Sequence, residues 1–238
     1  VPHRATLAAA FPEAVTFERY MARVERALAP YGFDREHTFA AVSICRDELT
    51  QSLLGAVAHR WDQPFSLGGL GARPALGRTG WRAALSHVPC EERRGHLVVF
   101  GFPHIGIDPE GVIGASLRRH QHHSTPTCGA MASLLASLST PPDPLPPGLD
   151  DHEADRLRGI LDGVESDLPH DLLSLTRIAA RAVDAEMWTE LEALQAYRDM
   201  DVAVFTGVQV HLPDDVDHIW PSAATLQRVD GARVPLEL

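Results

Sequence analysis

Cys45, His104 and Cys128 are the residues whose types point most directly to chemistry. Two thiolates and one imidazole form the ligand set of a catalytic zinc, which keeps its fourth tetrahedral position open for water. The spacing offers no CxxC pair. The same three residues therefore also read as two buried thiols, which behave as small hydrophobes, and a hydrogen-bonded core histidine. Around the first of them, Cys45-Arg46-Asp47-Glu48 packs a potential ligand, a cation and two carboxylates into one turn. A helix starting there would stabilise both the Cys45 thiolate and the Asp47 carboxylate at its N-terminus. Asp47 could accept a hydrogen bond from metal-bound water or occupy the open position itself. Arg46 could hold that carboxylate by a charge-assisted contact. The plainer alternative is that Asp47 and Glu48 only serve the helix dipole.

These residues converge only if the chain brings them to one edge of one sheet. The run HTFAAVSIC reads as a strand that passes into a helix over 46–61, placing Cys45 at a strand's carboxyl end, where ligands gather in open α/β sheets. Leu97 to Phe100 form a continuous apolar run suited to a buried parallel strand. Gly101 and Pro103 break it, leaving His104 just past its end. Cys128 opens the helix-prone stretch CGAMASLLASL. Residues 14–29, 151–163 and 168–197 read as further helices, 111–117 as a short strand, and DVAVFTGVQVHLP and HIWPSAATLQRV as closing strands of the same sheet. The Gly-rich stretch 65–81 lacks GxGxxG spacing and reads as a loop packed close to other backbone. The segment 141–147, with five Pro, reads as an extended connection rather than a domain boundary. The expectation is one α/β domain over 1–238, with an N-terminal helical segment to about residue 36 and helices on both faces of a central sheet.

Composition removes many functions. The chain has 238 residues, 45% of them hydrophobic, and a formal net charge of −11. That charge argues against nucleic acid and anionic membrane as partners, since both are held by basic surface. All 21 basic residues are Arg and none is Lys, which excludes Schiff-base chemistry and a P-loop lysine. The absence of Asn excludes a Cys/His/Asn protease triad. Three Cys are too few for a disulfide framework and read as thiols in a reducing compartment. No apolar run reaches a membrane-spanning length, and the first 15 residues hold no sustained hydrophobic core of a signal peptide. The cytoplasm is the expected location.

The strings SICRDE (43–48), FSLGGLGARPALGRTGW with SHVP (65–89), PHIGIDPEGVIG (103–114), RHQHHSTPTCGA (119–130) and GVQVHLP (207–213), in this order, resemble the limiting-CO2-inducible protein B family. Its active members are theta-class carbonic anhydrases. The resemblance implies a fold similar to the beta-class carbonic anhydrases, zinc at the sheet edge and a homodimer. It places Cys45, His104 and Cys128 as the zinc ligands and Asp47 with Arg46 as the catalytic pair. Two features depart from the beta class. Its Arg two residues after the Asp is Leu49 here, and 23 residues separate His104 from Cys128, a spacing the theta family shares.

The implied activity is reversible hydration of CO2 to bicarbonate, because zinc brings the pKa of bound water to about 7. Phe102 and Leu70 are candidate walls of a pocket for CO2. His87 in SHVP, and Gln209 and His211 on one face of a strand, are candidate pocket residues through the family-like motifs. His120, His122 and His123 read as an exposed loop cluster, Asp108 as a turn residue and Cys90 as a bystander. Two other readings stay open: a zinc enzyme acting on CS2 or COS, and a catalytically silent, zinc-stabilised subunit.

Overall fold

Strands buried on both faces read as nearly continuous apolar runs, and three runs here come close to that: TFAAVSI, HLVVFGF and MDVAVFTGVQVH. The computed structural model describes residues 1–90, 95–140, 146, 149–162 and 168–238. In chain order its elements are α1 (Pro2–Ala10), β1 (Val15–Thr16), α2 (Phe17–Leu28), β2 (Thr38–Ile44), α3 (Gln51–Trp61), β3 (Phe65–Ser66), α4 (Gly77–Ser86), β4 (Gly95–Phe102), β5 (His104–Gly106), β6 (Ala115–Ser116), β7 (Thr125–Pro126), α5 (Gly129–Ser137), α6 (His152–Arg158), α7 (Leu172–Ala193), β8 (Met200–His211), β9 (His218–Gln227) and β10 (Arg233–Pro235).

One sheet runs in the order β1-β9-β8-β4-β2-β3, with β10 added to β9 and β5 to β8. Strands β3, β2, β4 and β8 are parallel, while β9 returns antiparallel beside β8. The register aligns Val42 with Phe100 and Phe100 with Phe205. Alternate residues then face opposite layers. Ala40, Val42, Val98, Phe100 and Phe205 meet Tyr20, Val24, Leu53 and Val57 of α2 and α3. Ala41, Leu97, Val99, Val202 and Val204 meet Trp81 and Ala84 of α4 and Val183, Met187 and Leu191 of α7. The expected α/β sheet with helices on both faces is the fold.

Details differ from the sequence reading. The helix expected from residue 46 begins with a 3-10 turn at Glu48–Thr50, and α3 follows from Gln51. Cys45 therefore follows a strand without starting a helix. The Gly-rich stretch opens with β3, loops through a 3-10 turn at Leu70–Ala72 as far as Leu76, and then enters α4. Gly77 and Gly80 lower helix propensity, but burial of Trp81 and Ala84 overrides it. The strand expected over 111–117 is the two-residue β6, paired with β7 away from the main sheet. Except for Pro146, the Pro-rich segment lies outside the described residues. Among the described residues, no helix is long and apolar enough to cross a membrane.

Candidate metal centre

Parallel neighbours β2 and β4 end level with each other, Ile44 beside Phe102. Cys45 follows β2 directly. Pro103 interrupts β4, and the chain resumes pairing with β8 at His104, opposite Gln209. Cys128 sits at the N-cap of α5, held near the same edge by the β6–β7 pair. The Sγ atoms of Cys45 and Cys128 and a ring nitrogen of His104 all lie within 4.8 Å of one another. The two sulfurs are 3.8 Å apart. All three residues are buried, and Leu70, Met131, Leu134 and Leu157 pack around the thiols.

The donor set fits a metal. His104 Nε2 is buried and has no hydrogen-bond partner, whereas its Nδ1 is 3.1 Å from His211 Nε2. A buried nitrogen left without a partner is costly unless something binds it. The Cys128 thiol lowers the pKa of Cys45, and nearby His104 adds to this. The same contact, with burial, pushes Cys128 up. A cation between the two sulfurs would be the natural counter-charge.

Asp47 lies beside this cluster in extended backbone (φ −65°, ψ 142°) and caps the 3-10 turn through Oδ1, which accepts from Leu49 N–H at 3.1 Å. Its Oδ2 accepts from Arg118 Nη2 at 3.0 Å. The expected Arg46–Asp47 contact is thus replaced by Arg118–Asp47. Successive side chains on extended backbone diverge, and Arg46 points outward to Glu153 of α6, with Nε 2.9 and 3.1 Å from its two oxygens. Arg118 also donates from Nε to Glu48 Oε1 (2.7 Å), from Nη1 to Thr125 Oγ1 (3.1 Å) and Pro126 O (3.0 Å), and from Nη2 to Thr127 O (2.7 Å). One guanidinium therefore ties the turn after Cys45 to the strand before Cys128. Its sequence neighbourhood, Arg118-Arg119-His120, carries no spacing that would single it out.

The remaining candidates separate. Gln209 and His211 are buried on β8, where Gln209 pairs with His104 of β5. Gln209 Nε2 donates to Ser52 Oγ (3.1 Å) and Asp217 Oδ2 (3.0 Å). Burial pushes the Asp217 carboxyl up, but hydrogen bonds from His211, Ser52 and Gln209 outweigh it and hold the group below the usual carboxylate range. Leu70 packs in the apolar layer around the thiols, and its N–H reaches Glu153 Oε2 at 3.3 Å. Phe102 is fully buried under α2, edge-on to Tyr20 at 5.7 Å, and does not join the cluster. His87 is exposed at the end of α4 and stacks on Phe39 at 5.7 Å. Phe39 is six residues before Cys45, roughly 20 Å along the strand, so His87 stands at the far end of the sheet. His120, His122 and His123 are exposed, and Asp108 caps a turn through Glu110 N–H at 3.0 Å and Val112 N–H at 2.8 Å.

Residues 14–228 match the family described as limiting CO2-inducible proteins B/C beta carbonic anhydrases. The chain belongs to that family. Among solved structures, it is similar to PtLCIB4, a homologue of the limiting CO2-inducible protein LCIB, at 23% identity and a TM-score of 0.83, covering 99% of this chain and 100% of that one. It is similar to LCIB itself at 28% identity and a TM-score of 0.77, covering 97% of each chain. No curated protein sequence matches the chain. Its fold is thus that of the LCIB family, and its Cys-His-Cys cluster lies on the edge of that family's sheet.

Proposed function

We propose that this chain is a zinc-dependent carbonic anhydrase that interconverts CO2 and bicarbonate. Cys45, His104 and Cys128 would hold the zinc, which when bound supplies the Lewis acidity that makes hydroxide available near neutral pH. The observation carrying this reading is the buried triplet of donor atoms within 4.8 Å, one of them an imidazole nitrogen with no other partner.

The chain's own groups then have definite tasks. Asp47 is the catalytic carboxylate: each oxygen already accepts one hydrogen bond and keeps a lone pair with which to orient the reacting water. Arg118 is the cation that holds the Asp47 carboxylate in place, the role that the sequence assigned to Arg46. Arg46 with Glu153 closes the outer edge toward α6. Leu70 and the apolar layer around the thiols exclude bulk water from a small uncharged substrate. A net charge of −11 exerts no pull on neutral CO2 and favours departure of bicarbonate. Assembly as a homodimer and residence in the cytoplasm belong to the same proposal and rest on family membership and on the three free thiols.

Metal analysis of protein purified without chelator tests the centre. The expected result is one zinc per chain in the wild type and almost none in Cys45→Ser. Stoichiometric zinc retained by Cys45→Ser would remove that residue from the ligand set.

A further inference from the structure

The two ring nitrogens of His104 have opposite surroundings. Nε2 is buried without a partner, and Nδ1 lies 3.1 Å from His211 Nε2. On its other side, His211 Nδ1 is 2.7 Å from Asp217 Oδ1. Asp217 is fixed through Oδ2 by Ser52 Oγ at 2.5 Å and Gln209 Nε2 at 3.0 Å. Four residues from α3, β8 and the turn before β9 thus converge in a line that ends on His104.

With one hydrogen on each imidazole, such a line has one consistent direction. A carboxylate receiving three donors accepts and does not donate, so His211 carries its hydrogen on Nδ1 and gives it to Asp217. His211 Nε2 is then the acceptor and His104 Nδ1 the donor. This leaves the lone pair of His104 on Nε2, facing the two thiols. A free imidazole exchanges between two tautomers, and only the Nδ1–H form can ligate through Nε2. The edge-on arrangement of the two rings, 78° between planes, also fixes how the His104 ring is turned.

We propose that His211 and Asp217 are positioning residues that lock His104 in its metal-ligating tautomer and orientation, with Gln209 and Ser52 anchoring Asp217. The proposal rests on the zinc reading above. It converts Gln209 and His211 from pocket residues into support for a ligand. Outer partners of this kind typically change metal affinity by roughly 10–100-fold.

The test has two arms. Zinc affinity, measured by competition with a chromophoric chelator, should fall roughly 10–100-fold in His211→Leu and recover most of that loss in His211→Gln. The Gln amide oxygen can accept from His104 Nδ1–H, whereas Leu fills the volume but accepts nothing. A role in packing alone would treat the two variants alike. In the second arm, long-range 1H–15N spectra of the metal-free wild type should show His104 as the Nδ1–H tautomer, a readout that needs no substitution. Wild-type affinity in His211→Leu, or an Nε2–H tautomer of His104 in the metal-free wild type, would overturn the relay. A wild-type chain that binds no zinc would instead overturn the metal reading and the proposal's purpose with it, and the metal-free spectrum tells the two failures apart.

Discussion

Removing Arg118 should loosen the centre far more than removing Arg46, although Arg46 is the residue adjacent to Asp47 in sequence. The Arg118–Asp47 pair is largely buried, with side chains 21% and 13% exposed. The Arg46–Glu153 pair is open to solvent, at 61% and 32%. Hydrogen bonds to charged groups contribute about 1.5–3 kcal/mol each when shielded, but contacts sharing one side chain are not additive. We allow about 1 kcal/mol each for Asp47, Thr125 Oγ1 and Thr127 O, and nothing for the exposed contacts to Pro126 O and to Glu48, which is 67% exposed. Arg118→Ala should then cost about 3 kcal/mol. For a chain of this length that is a fall of roughly 6–12 °C in the unfolding midpoint. Arg46→Ala should cost less than about 1 kcal/mol, the usual value of an exposed pair. Arg118→Lys should recover under half of the loss, since an ammonium cannot span donors fixed in a planar fork. The assay is thermal and urea unfolding of the metal-free proteins, with chelator competition on the zinc-loaded ones. Equal losses for Arg118→Ala and Arg46→Ala, or an Arg118→Ala midpoint close to wild type, would refute the clamp.

Three further outcomes are expected. Asp47→Ala should keep its zinc but lose about 100-fold or more in turnover; metal content and stopped-flow rates check this, and unchanged turnover would reduce Asp47 to a cap of the 3-10 turn. Gly68→Ala should cost about 1–3 kcal/mol and weaken zinc binding, because a Cβ there would stand 2.1 Å from Ile44 O, next to Cys45; urea unfolding with zinc titration measures both. Burial raises the Asp184 carboxyl above its ordinary value, offset only in part by the Thr206 hydroxyl and by Arg233. A folded-state pKa raised in this way leaves stability intact below the unfolded value of about 4 and erodes it as pH rises through the folded one. Asp184→Asn should therefore match wild type in acid and exceed it at neutral pH, and a gap between the two in urea unfolding that does not widen with pH would contradict this.

The Cys-His-Cys cluster was legible because each member sits where a local signal ends or starts an element. The apolar run stops before Cys45, Pro103 precedes His104, and a helix-prone stretch follows Cys128. The central strands were legible because burial on both faces favours nearly continuous apolar runs. Arg118 and Asp217 were not legible. Arg118 meets Asp47 across 71 residues, and Asp217 meets Ser52 across 165, and no local pattern records such pairings. Adjacency misled at Arg46, whose side chain diverges from Asp47 on extended backbone. His87 lies in a family-like motif, yet stacking on Phe39 keeps it at the other end of the sheet. Helix α4 was hidden by two glycines whose low propensity the burial of Trp81 overcomes.

Stopped-flow CO2 hydration by the zinc-loaded wild-type chain, with Cys45→Ser prepared in the same way beside it, tests the central claim most directly. Hydration well above the buffer rate is expected in the wild type and only the buffer rate in the variant. A wild-type chain that carries one zinc and hydrates CO2 no faster than buffer would contradict it.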